Sequence, residues 1–164
     1  KVYTDVIRGT PSVTQLMIIY FVVFASVHWE KWIIAAIAFS INSGAYVSEI
    51  IRAGILSIDK GQTEAGRSLG LTGVQTMFYI VVPQAFKNIF PAMCNEFITL
   101  IKETAIVGYV GLVDIQKAGD FIKSATYEAF MPLIATAIIY FILIKILTLA
   151  LGRIEARLRK SDIR

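Results

Sequence analysis

Apolar positions in this chain gather into long blocks instead of alternating at short range. Four stretches stand out, at residues 5–27 (densest at 16–25), 32–56, 83–108 and 130–151, and the charged residues lie mostly between and beyond them. A helix that crosses a bilayer needs roughly 20 mainly apolar residues at about 1.5 Å of rise each, and all four stretches reach that length. The pattern predicts an all-α, polytopic membrane bundle of four spans, organised as a single domain over residues 1–164. The third stretch is the least apolar, so it is the one expected to face something other than lipid.

Composition sharpens this picture. Hydrophobic residues make up 56% of the chain and its mean hydropathy is +0.67, more apolar surface than a soluble domain of this length carries. The net charge of +4 does not suggest nucleic acid, because the basic residues sit at segment ends. They set orientation instead. With the N-terminus in the cytoplasm, that side holds Lys1, Arg8, Arg52, Lys60, Arg67, Lys87 and the tail residues Arg153, Arg157, Arg159, Lys160 and Arg164. The opposite side keeps only Lys31, Lys117 and Lys123 as loop charges, as the positive-inside bias favours. Lys145 lies within the last span, near enough to its end to snorkel. The single cysteine, Cys94, excludes an internal disulfide and a cysteine-rich metal site, and fits as a small apolar residue inside a span. His28 is the only histidine, at a predicted outer loop without an acidic triad partner, so no catalytic residue and no metal site is predicted.

The polar segment 57–82 falls on the cytoplasmic side. Asp59 followed by Gln62 predicts a capped short helix ending at Gly70, and Thr72 followed by Gln75 is a capping box for a second. Gly61 to Ser68 nearly spells a phosphate-binding loop, but it lacks the lysine, places Glu64 where phosphate would be repelled, and follows a membrane span, not a core strand.

Within this segment stand Glu64-Ala65-Gly66, then Gly70, then Ile80-Val81-Val82-Pro83. The pattern resembles the EAA loop of ATP-binding cassette importer permeases and matches it at each anchor, with Gly66 and Val82 as two size- or apolarity-preserving departures. Arg8-Gly9-Thr10-Pro11 with Gln15 is similar to the opening of permeases for polar amino acids of the histidine, glutamine and arginine type. Gly61-Gln62, Ala45-Tyr46 with Glu49, Asn95-Glu96 and Leu100-Ile101-Lys102 agree, so the resemblance covers essentially the whole chain. It implies a permease subunit of the prokaryotic inner membrane, pairing with itself or a close paralogue. Gln62, Glu64, Ala65, Gly66 and Gly70 would form the coupling helix that docks on a separate ATP-binding subunit. That partner would bind the ATP and magnesium, this chain holding no cofactor of its own, and an extracytoplasmic solute-binding protein would deliver the amino acid. Such permeases commonly have five spans, which implies one more ahead of residue 1.

The residues themselves suggest where a polar substrate would pass. At about 100° per residue, Asn88, Asn95, Glu96, Thr99, Lys102 and Glu103 fall within an arc of about 120° on the third span. A polar face inside a bilayer turns towards protein or a water-filled cavity. Glu96 or Glu103 would meet an ammonium or cationic side chain, and Lys102 a carboxylate; alternatively Lys102 and Glu103 pair with each other at the membrane interface. On the second span, Asn42 and Ser43 are substrate candidates, with helix–helix hydrogen bonding as the equal alternative, while Glu49 and Arg52 are spaced as a bracing ion pair. Residues 109–129, with Asp114, Lys117, Asp120 and Lys123, fit either an amphipathic helix on the membrane or a solvated loop. A secondary transporter or channel would also have polar-faced spans, but it has no need of the capped cytoplasmic helices.

Overall fold

The computed structural model describes residues 1–160, with side chains placed through 158. Of the tail cations, Arg164 lies outside the described residues, as do the side chains of Arg159 and Lys160. Eight α-helices run in order: α1 (Val2–Arg8), α2 (Ser12–Ile18), α3 (Lys31–Leu56), α4 (Lys60–Ser68), α5 (Gly73–Thr76), α6 (Val82–Glu103), α7 (Ile115–Thr126) and α8 (Phe130–Lys160). No strand occurs among the described residues. A π turn extends α2 over Ile19–Val23, another joins α5 to α6 over Met77–Val81, and a 3-10 turn follows α6 over Thr104–Val110.

Two helices are by themselves long and apolar enough to cross a membrane, α3 and the Phe130–Leu158 part of α8. The expected first span departs from a single rod. α1 and α2 with its π turn pass the same test together but meet at 107°. The break falls at Gly9-Thr10-Pro11: proline has no N–H to give to the helix and its ring drives the preceding residue out of the helical region. The third stretch departs too. α6 ends at Glu103 and the chain tightens into the 3-10 turn before Gly108, and α6 is not among the helices apolar enough to span. It packs instead between α3 and α8. Pro83, expected to mark the entrance of the third span, interrupts nothing. The Val82 N–H reaches Met77 O across the π turn, Pro83 occupies the first turn of α6, and backbone conformation stays helical from α5 into α6. Residues 73–103 thus form one uninterrupted run of helix, hereafter the rod, with Pro91 inside α6 as an interior position that cannot donate to the helix ladder. α8, the expected fourth span, continues beyond residue 151 to Lys160.

The buried core lies towards one end, where Leu16 of α2, Ala35, Ala38 and Phe39 of α3, and Val107 and Val110 of the 3-10 turn cluster. At the other end α3 and α6 touch backbone to side chain. A Cβ on Gly54 would stand 2.2 Å from Ile89 Cγ1. Gly54→Val is therefore expected to destabilise by about 1–3 kcal/mol through overpacking, and Ile89→Ala should recover most of it. Thermal unfolding of the two single variants and the double in detergent checks this; additive losses would show that the two residues do not share this contact.

Candidate functional site

The projecting hairpin is built by local rules. Asp59 caps α4 by accepting from Gly61 N at 2.7 Å. Gly70 ends the helix with φ +84°, the left-handed conformation glycine adopts freely, and Leu71 N–H closes back on Gly66 O at 3.1 Å. Thr72 and Gln75 form the reciprocal capping box, with Gln75 N–H on Thr72 Oγ1 at 3.3 Å and Thr72 N–H on Gln75 Oε1 at 2.8 Å.

The departure from the EAA pattern at Gly66 has a steric reason here. Gly66 is buried, and a Cβ would lie 2.8 Å from Ile80 Cδ1 and 2.9 Å from Thr76 Cγ2. α4 therefore lies directly on the rod that becomes α6, and Gln84 of α6 also donates to Gln62 at 3.1 Å. Gln62, Glu64 and Ala65 are exposed, and Leu69 beside them is 82% exposed. One side of α4 is locked to the rod while the other lies open.

Of the predicted lining, the structure brings Ser43 and Glu96 together: Ser43 Oγ donates to Glu96 Oε1 at 3.0 Å, joining α3 to α6. Thr99 and Glu103 follow on α6 and are half-buried, whereas Asn95 and Lys102 are exposed. The Lys102–Glu103 ion pair is not formed among the described residues. Asn88 lies away from this group, donating to Ser57 Oγ at 2.8 Å at the hairpin end. Arg52 does pair with Glu49, its Nε donating to both carboxylate oxygens at 3.0 and 2.8 Å, and the Arg8 guanidinium stands 5.4 Å over the Tyr46 ring.

Asn42 takes the packing alternative. It is 4% exposed and donates to Gln15 Oε1 at 2.8 Å. Gln15, not among the predicted site residues, organises the break between α1 and α2: its amide nitrogen donates to Ile7 O at 2.6 Å and to Thr10 Oγ1 at 2.6 Å. The last carbonyls of a helix have no intrahelical partner, and Gln15 supplies one where the chain turns. The spacing of Gln15 from the Gly9–Pro11 break held the signal that could have found it.

At the opposite end from the hairpin, residues 109–129 contain a true helix. Asp114 caps α7, accepting from Lys117 N at 2.9 Å, and also accepts from Tyr140 Oη of α8 at 3.0 Å. Asp120 is bound to Lys123 at 2.9 Å, and that ammonium holds its carboxyl below the usual carboxylate range. A cavity of 280 Å³ between the 3-10 turn and α7 is lined by Tyr109, Gln116, Lys117 and Asp120. Among the described residues no group of acidic, histidine or cysteine side chains is arranged to hold a metal ion.

Apolar helices around a polar-faced one, with a capped hairpin packed on that same helix, define an all-α helical membrane protein. Residues 1–160 match the family of binding-protein-dependent transport system inner membrane components, and the chain belongs to it. It is a transport subunit of the ATP-binding cassette class, not an enzyme, and works with partner subunits. The chain is 48% identical over 162 residues to the arginine transport system permease protein ArtQ of Bacillus subtilis, covering 98% of this chain and 74% of that one. It is 44% identical to the putative glutamine transport system permease protein GlnP of Rickettsia bellii, over 95% and 72% of the two chains. The L-cystine permease TcyB of Bacillus subtilis is 41% identical over 96% and 68%. Among solved structures, an amino acid ABC transporter crystallised with histidines superposes with a TM-score of 0.87 at 44% identity, over 95% of this chain and 73% of that one. The methionine transporter MetNI shares the fold at a TM-score of 0.78 and 22% identity, over 94% and 72%.

Gln15→Leu is expected to cost about 1–3 kcal/mol, because it strands the buried Asn42 amide and the Ile7 carbonyl. The double variant Gln15→Leu/Asn42→Leu should lose less than the sum of the two singles in thermal unfolding. Strict additivity would separate the two residues energetically.

Proposed function

We propose that this chain is the multi-pass, membrane-spanning subunit of an importer for polar amino acids in a prokaryotic inner membrane, with its N-terminus and the α4–α5 hairpin in the cytoplasm. Two such subunits, identical or closely related, meet two ATP-binding subunits, which bind the ATP and magnesium. A solute-binding protein on the opposite side delivers the amino acid. The relatives named for arginine, glutamine and cystine transport support the substrate class.

The observation that carries the mechanism is the seating of Gly66 on Thr76 and Ile80. A push on the open side of α4 has no loop in which to dissipate, because α4 bears on the start of the rod whose later turns carry Asn95, Glu96, Thr99 and Glu103. ATP binding favours one arrangement of the partner subunits. Only such differential binding can shift the bundle between states open to one side and the other. In this reading Glu96 and Glu103 receive the ammonium or cationic side chain of the substrate, Asn95 and Thr99 offer hydrogen bonds, and Ser43 contacts the substrate from α3 or hands it Glu96. Asn42 braces α3 against α2.

Reconstitution in vesicles with its ATP-binding and solute-binding partners, recording uptake of labelled arginine, histidine and glutamine, tests the reading. Uptake of one of them that stops without ATP supports it; uptake driven by an ion gradient without ATP would make the chain a secondary carrier. Glu64→Arg places a cation on the open side of α4 without touching the fold. It should abolish coupled uptake while insertion into the membrane persists, and undiminished uptake removes α4 from the coupling role. Glu96→Gln should lower uptake on the order of tenfold or more with the subunits still assembled. A variant that transports normally shows that the carboxylate serves only to bond Ser43.

A further inference from the structure

One charge on α8 is left unused by the transport reading. Between Glu128 and Arg153 the only Asp, Glu, Lys or Arg is Lys145. The helix around it is strongly apolar, its most apolar window having a mean hydropathy of 2.4, and only 6% of that window is buried within the chain. The packed side of α8 is Pro132, Thr136, Tyr140, Leu143, Leu147 and Leu151, all buried or half-buried, and α8 packs on α6 and α7. Lys145 lies about 160° around the helix from Leu143 and from Leu147, on the back of α8, and it is exposed. Among the described residues it makes no hydrogen bond and no ion pair. An ionised group so placed in a bilayer must find water, a counter-charge or both.

The residues beyond it supply room for one. Lys145 lies about 12 Å along the axis from Arg153, and its apolar stem can carry the ammonium about half that way. The positions above it on the same face, each within about 20°, are Gly152 and Ala156, and Arg153 stands about 80° to one side. Gly152 is exposed, and a Cβ there would meet nothing within 4 Å. The result is a shallow notch with a cation below and a cation beside it. Glu155, the acid nearest this face, is half-buried and already engaged.

We propose that this notch binds the phosphate of an anionic glycerophospholipid, with Lys145 reaching up to it, Arg153 closing one side, and the acyl chains lying along Ile138, Phe141 and Ile142. A second copy of the chain is the obvious rival, because two small residues four apart let helices approach closely. Charge decides against it. A symmetric contact through this face would bring Lys145 and Arg153 against their own counterparts, and like charges facing each other oppose association. A lipid phosphate complements both.

The inference does not depend on which solute is carried. The assembled transporter is embedded in nanodiscs of equal phosphatidylglycerol and phosphatidylcholine, then released, and the lipid still bound is counted by native mass spectrometry. The wild-type protein should retain phosphatidylglycerol in preference. Lys145→Gln and Arg153→Gln should each lower that retention about fivefold, the loss expected from one surface cation. Lys145→Arg should preserve it. Gly152→Leu fills the notch without changing the charge and should lower retention as well, which decides the matter even if Lys145→Gln fails to insert. No preference in the wild type, or unchanged retention in Gly152→Leu, overturns the proposal. Variants that change the number of copies per particle while the bound lipid stays constant would assign this face to self-association instead.

Discussion

The contact on which the arrangement depends is the one between α3 and α6. A helix as polar as α6 cannot stand alone in hydrocarbon, where each unsatisfied polar or charged group is costly. It is accommodated because α3 meets it along its length: Gly54 lets Ile89 approach, Ser57 accepts from Asn88, and Ser43 donates to Glu96. α8 covers another side. These contacts allow a carboxylate to be held at mid-helix, and they fix the position of the rod on which the α4 hairpin is seated.

That seating is what the proposed coupling depends on. Helices joined by flexible loops would let a movement at α4 decay before it reached the bundle. Here the π turn at Met77–Val81 carries the backbone past Pro83 in helical conformation, so the surface under Gly66 and the polar face at Glu96 lie on one uninterrupted run of helix, with Pro91 between them. The small residue at position 66 is thus a steric requirement of this packing, with Ile80 and Thr76 occupying the space a methyl group would need.

Two buried amides and a half-buried carboxylate are treated in opposite ways. Asn42 and Gln15 are spent on each other and on the carbonyls freed where α1 breaks from α2. No buried side-chain nitrogen or oxygen among the described residues is left without a hydrogen bond. Glu96, by contrast, accepts from Ser43 on one oxygen while remaining only half-buried.

Much of this was legible in the sequence because it rests on local rules. Apolar length identified α3 and α8, the Asp59 and Thr72 caps with Gly70 defined the hairpin, and the spacing of Glu64, Gly70 and Pro83 pointed to the family to which the chain belongs. The polar arc on α6 was visible from the helical repeat alone. Tertiary structure decided the rest. Periodicity says which residues share a face but not which neighbour covers it, so it could not separate Asn42, committed to Gln15, from Ser43, committed to Glu96. Hydropathy averages over a window and so passed across the Gly9–Pro11 bend, while the third apolar stretch suggested an entrance at Pro83 where the π turn keeps the backbone helical. In each case the outcome depended on a partner distant in sequence or on backbone geometry, and neither is encoded in the spacing of residue types.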